Sequence, residues 1–105
     1  MKEESSDLAR MAARPFGLEV AENNWDVETL RNTLAVRISW LLTHRREELL
    51  GILYRIDVRE SEVKRILTFA AIDEIPVLLA ELILEKLREK LVYRKKYPPE
   101  KEMEW

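Results

Sequence analysis

The chain has 105 residues, of which 47% are apolar, 36% are charged and only two are glycine, and its net charge is −2. This composition favours one helix-rich globular domain and excludes bulk electrostatic attraction to polyanions. The absence of cysteine excludes disulfides, thiolate metal ligands and cysteine nucleophiles, so the cytoplasm is the expected compartment.

The first 24 residues are predicted to be a partly ordered arm rather than part of the core. Residues 5–7 (Ser-Ser-Asp) have the composition of a helix cap, but Pro15 and Gly17 are expected to stop any helical turn soon afterwards. Alternating apolar residues then predict an extended segment that packs across the bundle, through Phe16, Leu18 and Val20.

Two helices are predicted next, and their apolar residues recur at helical spacing. Asp26 is the expected N-cap of the first, whose inner stripe consists of Val27, Leu30, Leu34, Ile38 and Leu41. Thr43 is the expected N-cap of the second, whose inner face consists of Leu49, Leu50, Leu53 and Ile56, with a contribution from Ile52. Gly51 lies in the middle of this second helix, where a close approach between helices would explain a glycine.

A third helix is expected at about residues 60–70, with two ion pairs on its solvent-exposed side, Glu60–Lys64 and Glu62–Arg65. Asp73 is the predicted cap of a long fourth helix, and Pro76 is tolerated because it falls in the first turn. The two prolines at 98 and 99 end this helix by about Tyr97. The predicted bundle domain therefore spans residues 25–97, and residues 98–105 form a mobile tail.

The fourth helix is apolar on two adjoining stripes. The first stripe comprises Ile75, Leu78, Leu79, Leu82 and Ile83, and the second comprises Val77, Leu84, Leu87 and Leu91. A helix with so much apolar circumference must be covered from more than one side. We therefore predict an all-α bundle of about four helices around this helix. The second stripe is the candidate interaction surface for a protein partner or a homodimer, unless the first helix and the arm cover it.

Two segments carry a resemblance to other proteins. They read LLTHRREELLGILYRIDVRESEVKRIL at residues 41–67 and AELILEKLREKLVYRKKY at residues 80–97. This pattern resembles a group of small uncharacterised bacterial helical proteins, in which an ILYRIDV-type helix precedes a helix with a basic RKKY-like end. The likeness covers about half of the chain. It implies an all-α fold and a cytoplasmic bacterial source, and it transfers no activity and no site residues.

Catalytic and metal chemistry find little support in the sequence. His44 is the only histidine, and neither an H-x-x-x-H nor an E-x-x-H pairing includes it, so a solvated surface histidine is expected. Glu81 and Glu85 lie one turn apart, a spacing that suits a bound cation but is more typical of a solvated face. We expect no catalytic residue, no metal, no cofactor and no small-molecule substrate, and hence no enzyme.

The basic end of the last helix is the second candidate surface. Basic side chains can bind phosphates, and tyrosine rings between them can stack on a base. Basic residues at this position also complement the helix dipole. The candidate anion or nucleic-acid contacts are Arg45, Arg46, Lys86, Lys90, Arg94, Lys95 and Lys96, and Arg55 would join them if the second and last helices pack antiparallel. The predicted function is a non-catalytic cytoplasmic interaction or structural module that acts through helix surfaces. The alternative is an accessory nucleic-acid or anionic-ligand binder.

No apolar run is long enough to predict a membrane span.

Overall fold

The computed structural model describes residues 2–18 and 26–97, and this part of the chain is all-α, as predicted. It contains five α-helices rather than about four, and no strand. The helices are α1 (Lys2–Phe16), α2 (Val27–His44), α3 (Arg46–Ile56), α4 (Glu60–Phe69) and α5 (Ile75–Lys96), and a short 3-10 turn at Ile72–Glu74 precedes α5. No helix in these two ranges is long and apolar enough to cross a membrane.

The additional helix is α1, which occupies most of the segment predicted to be an arm. Leu8 and Phe16 are 0% and 1% exposed, and Ala12 between them is fully buried. These residues recur every fourth position, so they form one narrow apolar face on an otherwise polar helix. Gly17 then ends the helix in a left-handed conformation with φ +65°. Val20 and the predicted tail at 98–105 lie outside the described residues.

The core is centred on α2 and α5. These two helices share the most extensive contact in the molecule, and α5 also contacts α1, α3 and α4. The predicted inner stripe of α2 is confirmed for Leu30, Leu34, Ile38 and Leu41, which are all at most 1% exposed. Because α5 is covered from several sides, both of its apolar stripes find partners within the protein.

The junction between α2 and α3 differs from the prediction. Thr43 lies in the last turn of α2, where its Oγ1 donates to the Ser39 carbonyl, and α3 begins only at Arg46. Ile52 is buried, as expected, whereas the register of α3 leaves Leu50 42% exposed, so the prediction that Leu50 faces inward is wrong. A side chain at Gly51 would meet nothing within 4 Å, so the predicted close approach of helices at this glycine is wrong.

The start of α5 also differs from the prediction. Asp73 lies within the 3-10 turn instead of capping α5, which begins at Ile75 with Pro76 in its first turn, as expected for a proline. One of the two predicted ion pairs on α4 is confirmed, because Arg65 Nη2 donates to Glu62 Oε1 at 2.6 Å. Glu60 and Lys64, both among the described residues, do not form the other.

The N-cap of α2 supports a first prediction. Asp26 Oδ1 accepts a hydrogen bond of 2.8 Å from the Thr29 backbone N–H, and this bond lowers the carboxyl pKa from its ordinary value of 3.8. A lowered folded-state pKa contributes stability above the ordinary value, and that stability is lost as the pH falls through the folded-state pKa. We expect Asp26→Ala to lower the melting temperature at neutral pH, and Asp26→Asn to lower it less. The difference in melting temperature between wild type and Asp26→Ala should become smaller below pH 3.8, as measured by thermal melts followed by circular dichroism. A difference in melting temperature that does not change with pH would contradict the capping role.

Candidate anion-binding groove

A groove of about 400 Å³ opens on the surface between α1, α3 and α5. Its apolar lining comes from Met11, Pro15, Ile56 and Leu87. None of the nine described residues that line it is acidic, and the remaining five are all basic. We call it the basic groove, and its basic residues are Arg10, Arg14, Arg55, Lys90 and Arg94.

Most of these cations lack a carboxylate partner. Arg10 Nη2 donates to Asp7 Oδ1 at 2.7 Å, which accounts for one of the five. Within residues 2–18 and 26–97 the other four form no ion pair: Arg14, Arg55, Lys90 and Arg94. The groove therefore concentrates positive charge that the described chain does not neutralise locally, on a molecule whose net charge is −2.

Three helix ends produce this concentration of charge. Arg14, Arg55 and Arg94 each lie in the last turn of their own helix, α1, α3 and α5 respectively. A basic residue at that position complements the negative end of the helix dipole. Because the C-terminal turns of the three helices meet at the groove, residues that satisfy three separate dipoles also form one shared basic surface.

Two tyrosines lie beside the groove on α5. Tyr93 and Tyr97 are 64% and 58% exposed, and their ring centroids are 5.0 Å apart with planes tilted by 44°. Their spacing from Lys90 places all three on one face of the helix. Lys96 Nζ lies 5.9 Å from the centroid of the Tyr97 ring. The site thus presents aromatic faces next to cationic groups.

The structure brings together only part of the predicted basic set on α5. Lys90 and Arg94 line the groove, and Lys95 and Lys96 are exposed on the same helix end. Lys95 Nζ lies 3.8 Å from Asp7 Oδ2, which links the end of α5 to α1. Lys86 is directed elsewhere, since its Nζ lies 3.5 Å from Glu89 Oε1 and it lines a different cavity.

Arg45 and Arg46 do not join the basic groove. Arg45 Nη1 lies 3.5 Å from Glu48 Oε1, and Arg46 is the first residue of α3. Arg46 is separated from Arg55 by nearly the whole helix, a distance of about 14 Å along its axis. Of the three arginines expected to converge with the end of α5, only Arg55 lines the groove, because it lies at the opposite end of α3 from Arg46.

Sequence reasoning missed Arg10 and Arg14, because the arm prediction removed α1 from the fold. A usable signal was present: Arg10 and Arg14 are four residues apart, and they alternate with the apolar series at Leu8, Ala12 and Phe16. That double periodicity indicates an amphipathic helix with a basic side.

The predicted apolar interaction surface on α5 needs a correction. Leu84, Leu87 and Leu91 are 4%, 4% and 5% exposed, so they belong to the core, and only Val77, at 37%, is accessible. The physical reason is that α1 and α3 pack against α5, and α1 belongs to the segment whose packing over this stripe was the stated alternative.

The single histidine is exposed, as predicted. His44 Nδ1 lies 3.0 Å from the Trp40 carbonyl oxygen, and its ring stacks on Trp40 with centroids 4.6 Å apart. No group of three or more potential metal-ligating side chains occurs in the described ranges. The basic groove offers cationic groups for electrostatic attraction, and the tyrosines near it on α5 offer rings for stacking.

Comparisons with protein-family models, with curated proteins and with solved structures found no match for this chain. The resemblance of residues 41–97 to small bacterial helical proteins stays a prediction.

Proposed function

We propose that the protein is a non-catalytic interaction module that binds single-stranded nucleic acid in the basic groove. The observation that carries the proposal is the convergence on one groove of four cations that have no carboxylate partner within residues 2–18 and 26–97: Arg14, Arg55, Lys90 and Arg94. Like charges held close together repel one another, and a bound anion relieves that repulsion.

The form of the groove favours an extended ligand over a small molecule. Small-molecule sites are concave, mostly apolar and bury most of the ligand. Here the arginines at the groove are exposed and belong to three different helices, so they can contact successive phosphates along a chain. The apolar patch around Met11 and Leu87 then lies beneath the sugars and bases.

The tyrosines favour nucleic acid over other polyanions. Proteins that bind single strands combine a basic groove with aromatic rings on which bases stack, and each stacked base contributes about 1–3 kcal/mol. Tyr93 and Tyr97 are exposed next to Lys90 and Arg94. A polyphosphate would use the cations but gain nothing from these rings.

A charge-reversal experiment tests the proposal. We expect Arg14→Glu combined with Arg94→Glu to weaken the binding of a random-sequence RNA or DNA strand of about 16 nucleotides by at least tenfold. Fluorescence anisotropy between about 50 and 200 mM salt should give a slope of log affinity against log salt near −3 for wild type, as expected for four to five phosphate contacts. The double variant should give a shallower slope.

The matched control is Arg46→Glu combined with Lys64→Glu, which changes the net charge equally at two exposed positions away from the groove. It should weaken binding by less than about threefold, because distant charges are screened. Tyr93→Ala should weaken oligonucleotide binding and leave polyphosphate binding unchanged. The proposal would be ruled out if the two double variants lost oligonucleotide affinity equally, or if the wild-type protein did not bind the oligonucleotide at low salt.

A further inference from the structure

A second groove runs between α4 and α5, away from the basic groove. Two cavities of about 390 and 270 Å³ share Glu62, Leu82 and Glu85 in their linings, so they form one continuous depression. On α5 it extends from Leu78 to Glu89, a length of about 17 Å or three helical turns. We call it the acidic groove.

The lining of the acidic groove is apolar at its base. Ile66 is buried there, and Leu78 and Leu82 are half-buried. At one end Phe69, which lines the groove, is 81% exposed. A large apolar side chain left this open in a groove offers surface that a partner can bury.

The rim of the groove carries more acidic than basic residues: Glu62, Glu74, Glu81, Glu85 and Glu89 against Arg59, Arg65 and Lys86. Three of the glutamates are already paired: Glu62 with Arg65, Glu81 with Arg31 and Glu89 with Lys86. The Arg65 hydrogen bond also lowers the pKa of Glu62, which keeps that carboxylate ionised.

Glu74 and Glu85 have no ion pair within residues 2–18 and 26–97. Glu85 lines both cavities and so occupies the middle of the groove. Its carboxylate, together with that of Glu74, is available to a cation supplied by a ligand.

We propose that the acidic groove docks a cationic amphipathic helix of a partner protein. The apolar face of such a helix would cover Phe69 and Leu82, and its lysines or arginines would meet Glu74 and Glu85. Charge complementarity selects this occupant, because an anionic or neutral helix would leave both carboxylates unpaired next to a buried apolar surface. This site is independent of nucleic-acid binding at the basic groove.

The test uses a synthetic peptide of about 18 residues in which leucine and lysine are spaced to form the two faces of an amphipathic helix. As a helix this peptide is longer than the groove. We expect Glu85→Lys and Phe69→Ser each to weaken its binding by about tenfold in fluorescence anisotropy. Both side chains are exposed, so neither change should unfold the protein. A leucine–glutamate peptide of the same pattern should bind at least tenfold more weakly than the lysine peptide.

Two control variants lie outside the groove, Glu47→Lys and Tyr54→Ser, and both should leave peptide affinity within about twofold of wild type. Equal losses for groove and control variants, or no binding of the lysine peptide, would overturn the proposal. A second outcome would also overturn it: self-association in sedimentation velocity that Glu85→Lys and Phe69→Ser abolish and the peptide does not displace. That result would assign the groove to a second copy of this chain.

Discussion

Replacing Ile83 with alanine is expected to lower the free energy of unfolding by about 2–5 kcal/mol. Ile83 is fully buried in the middle of α5, the helix that contacts all four others. Truncation removes apolar contacts and leaves a cavity that packed neighbours on several sides cannot fill. The loss is large for a domain of this size, whose total stability is expected to be about 5–15 kcal/mol.

Urea denaturation followed by circular dichroism measures this loss. Val92→Ala is the matched control, because Val92 lies on the same helix and is 55% exposed. It should change the unfolding free energy by less than about 0.5 kcal/mol. If Ile83→Ala and Val92→Ala gave similar small changes, α5 would not be the helix that organises the core.

Replacing Phe16 with alanine is expected to cost about 3–5 kcal/mol and to release α1 from the bundle. Phe16 is 1% exposed, and its carbonyl oxygen accepts a 3.0 Å hydrogen bond from Arg37 Nε of α2. Together these contacts hold the C-terminal end of α1. Since Arg10 and Arg14 reach the basic groove only when α1 is docked, we also expect weaker oligonucleotide binding.

Limited trypsin digestion distinguishes local release from general unfolding. Cleavage after Arg10 requires α1 to open, whereas the bond after Arg14 precedes Pro15 and resists trypsin. Faster cleavage after Arg10 in Phe16→Ala than in Val36→Ala, a change at a site 71% exposed, would show that α1 detaches. Equal cleavage rates in the two variants would show that Phe16 does not anchor α1.

The sequence allowed a correct prediction of the parts of the fold whose apolar residues repeat strongly. Leu30, Leu34, Ile38 and Leu41 form a regular stripe, and the long apolar surface of α5 indicates a central helix. Segment α1 was missed because Pro15 and Gly17 resemble a terminating signal, while its apolar face is narrow. Whether such a narrow face is buried depends on tertiary partners, which local patterns do not specify.

The candidate site was predictable on α5 and at Arg55, but not on α1. Lys90 and Arg94 stand out as a basic helix end, but their association with Arg14 and Arg55 depends on three helices ending at one place. That convergence is a property of packing. For the same reason, Leu84 and Leu87 looked available in the sequence and are buried in the fold, while Phe69 is exposed.

Chemical-shift mapping by NMR is the most direct test of the central claim that the basic groove binds a nucleic-acid strand. A titration of the isotope-labelled protein with the oligonucleotide should shift the amide signals of Arg14, Arg55, Lys90 and Arg94, and the shifts should saturate at one strand per protein. Shifts confined to the acidic groove around Phe69 and Glu85, or spread evenly over the surface without saturation, would contradict the claim.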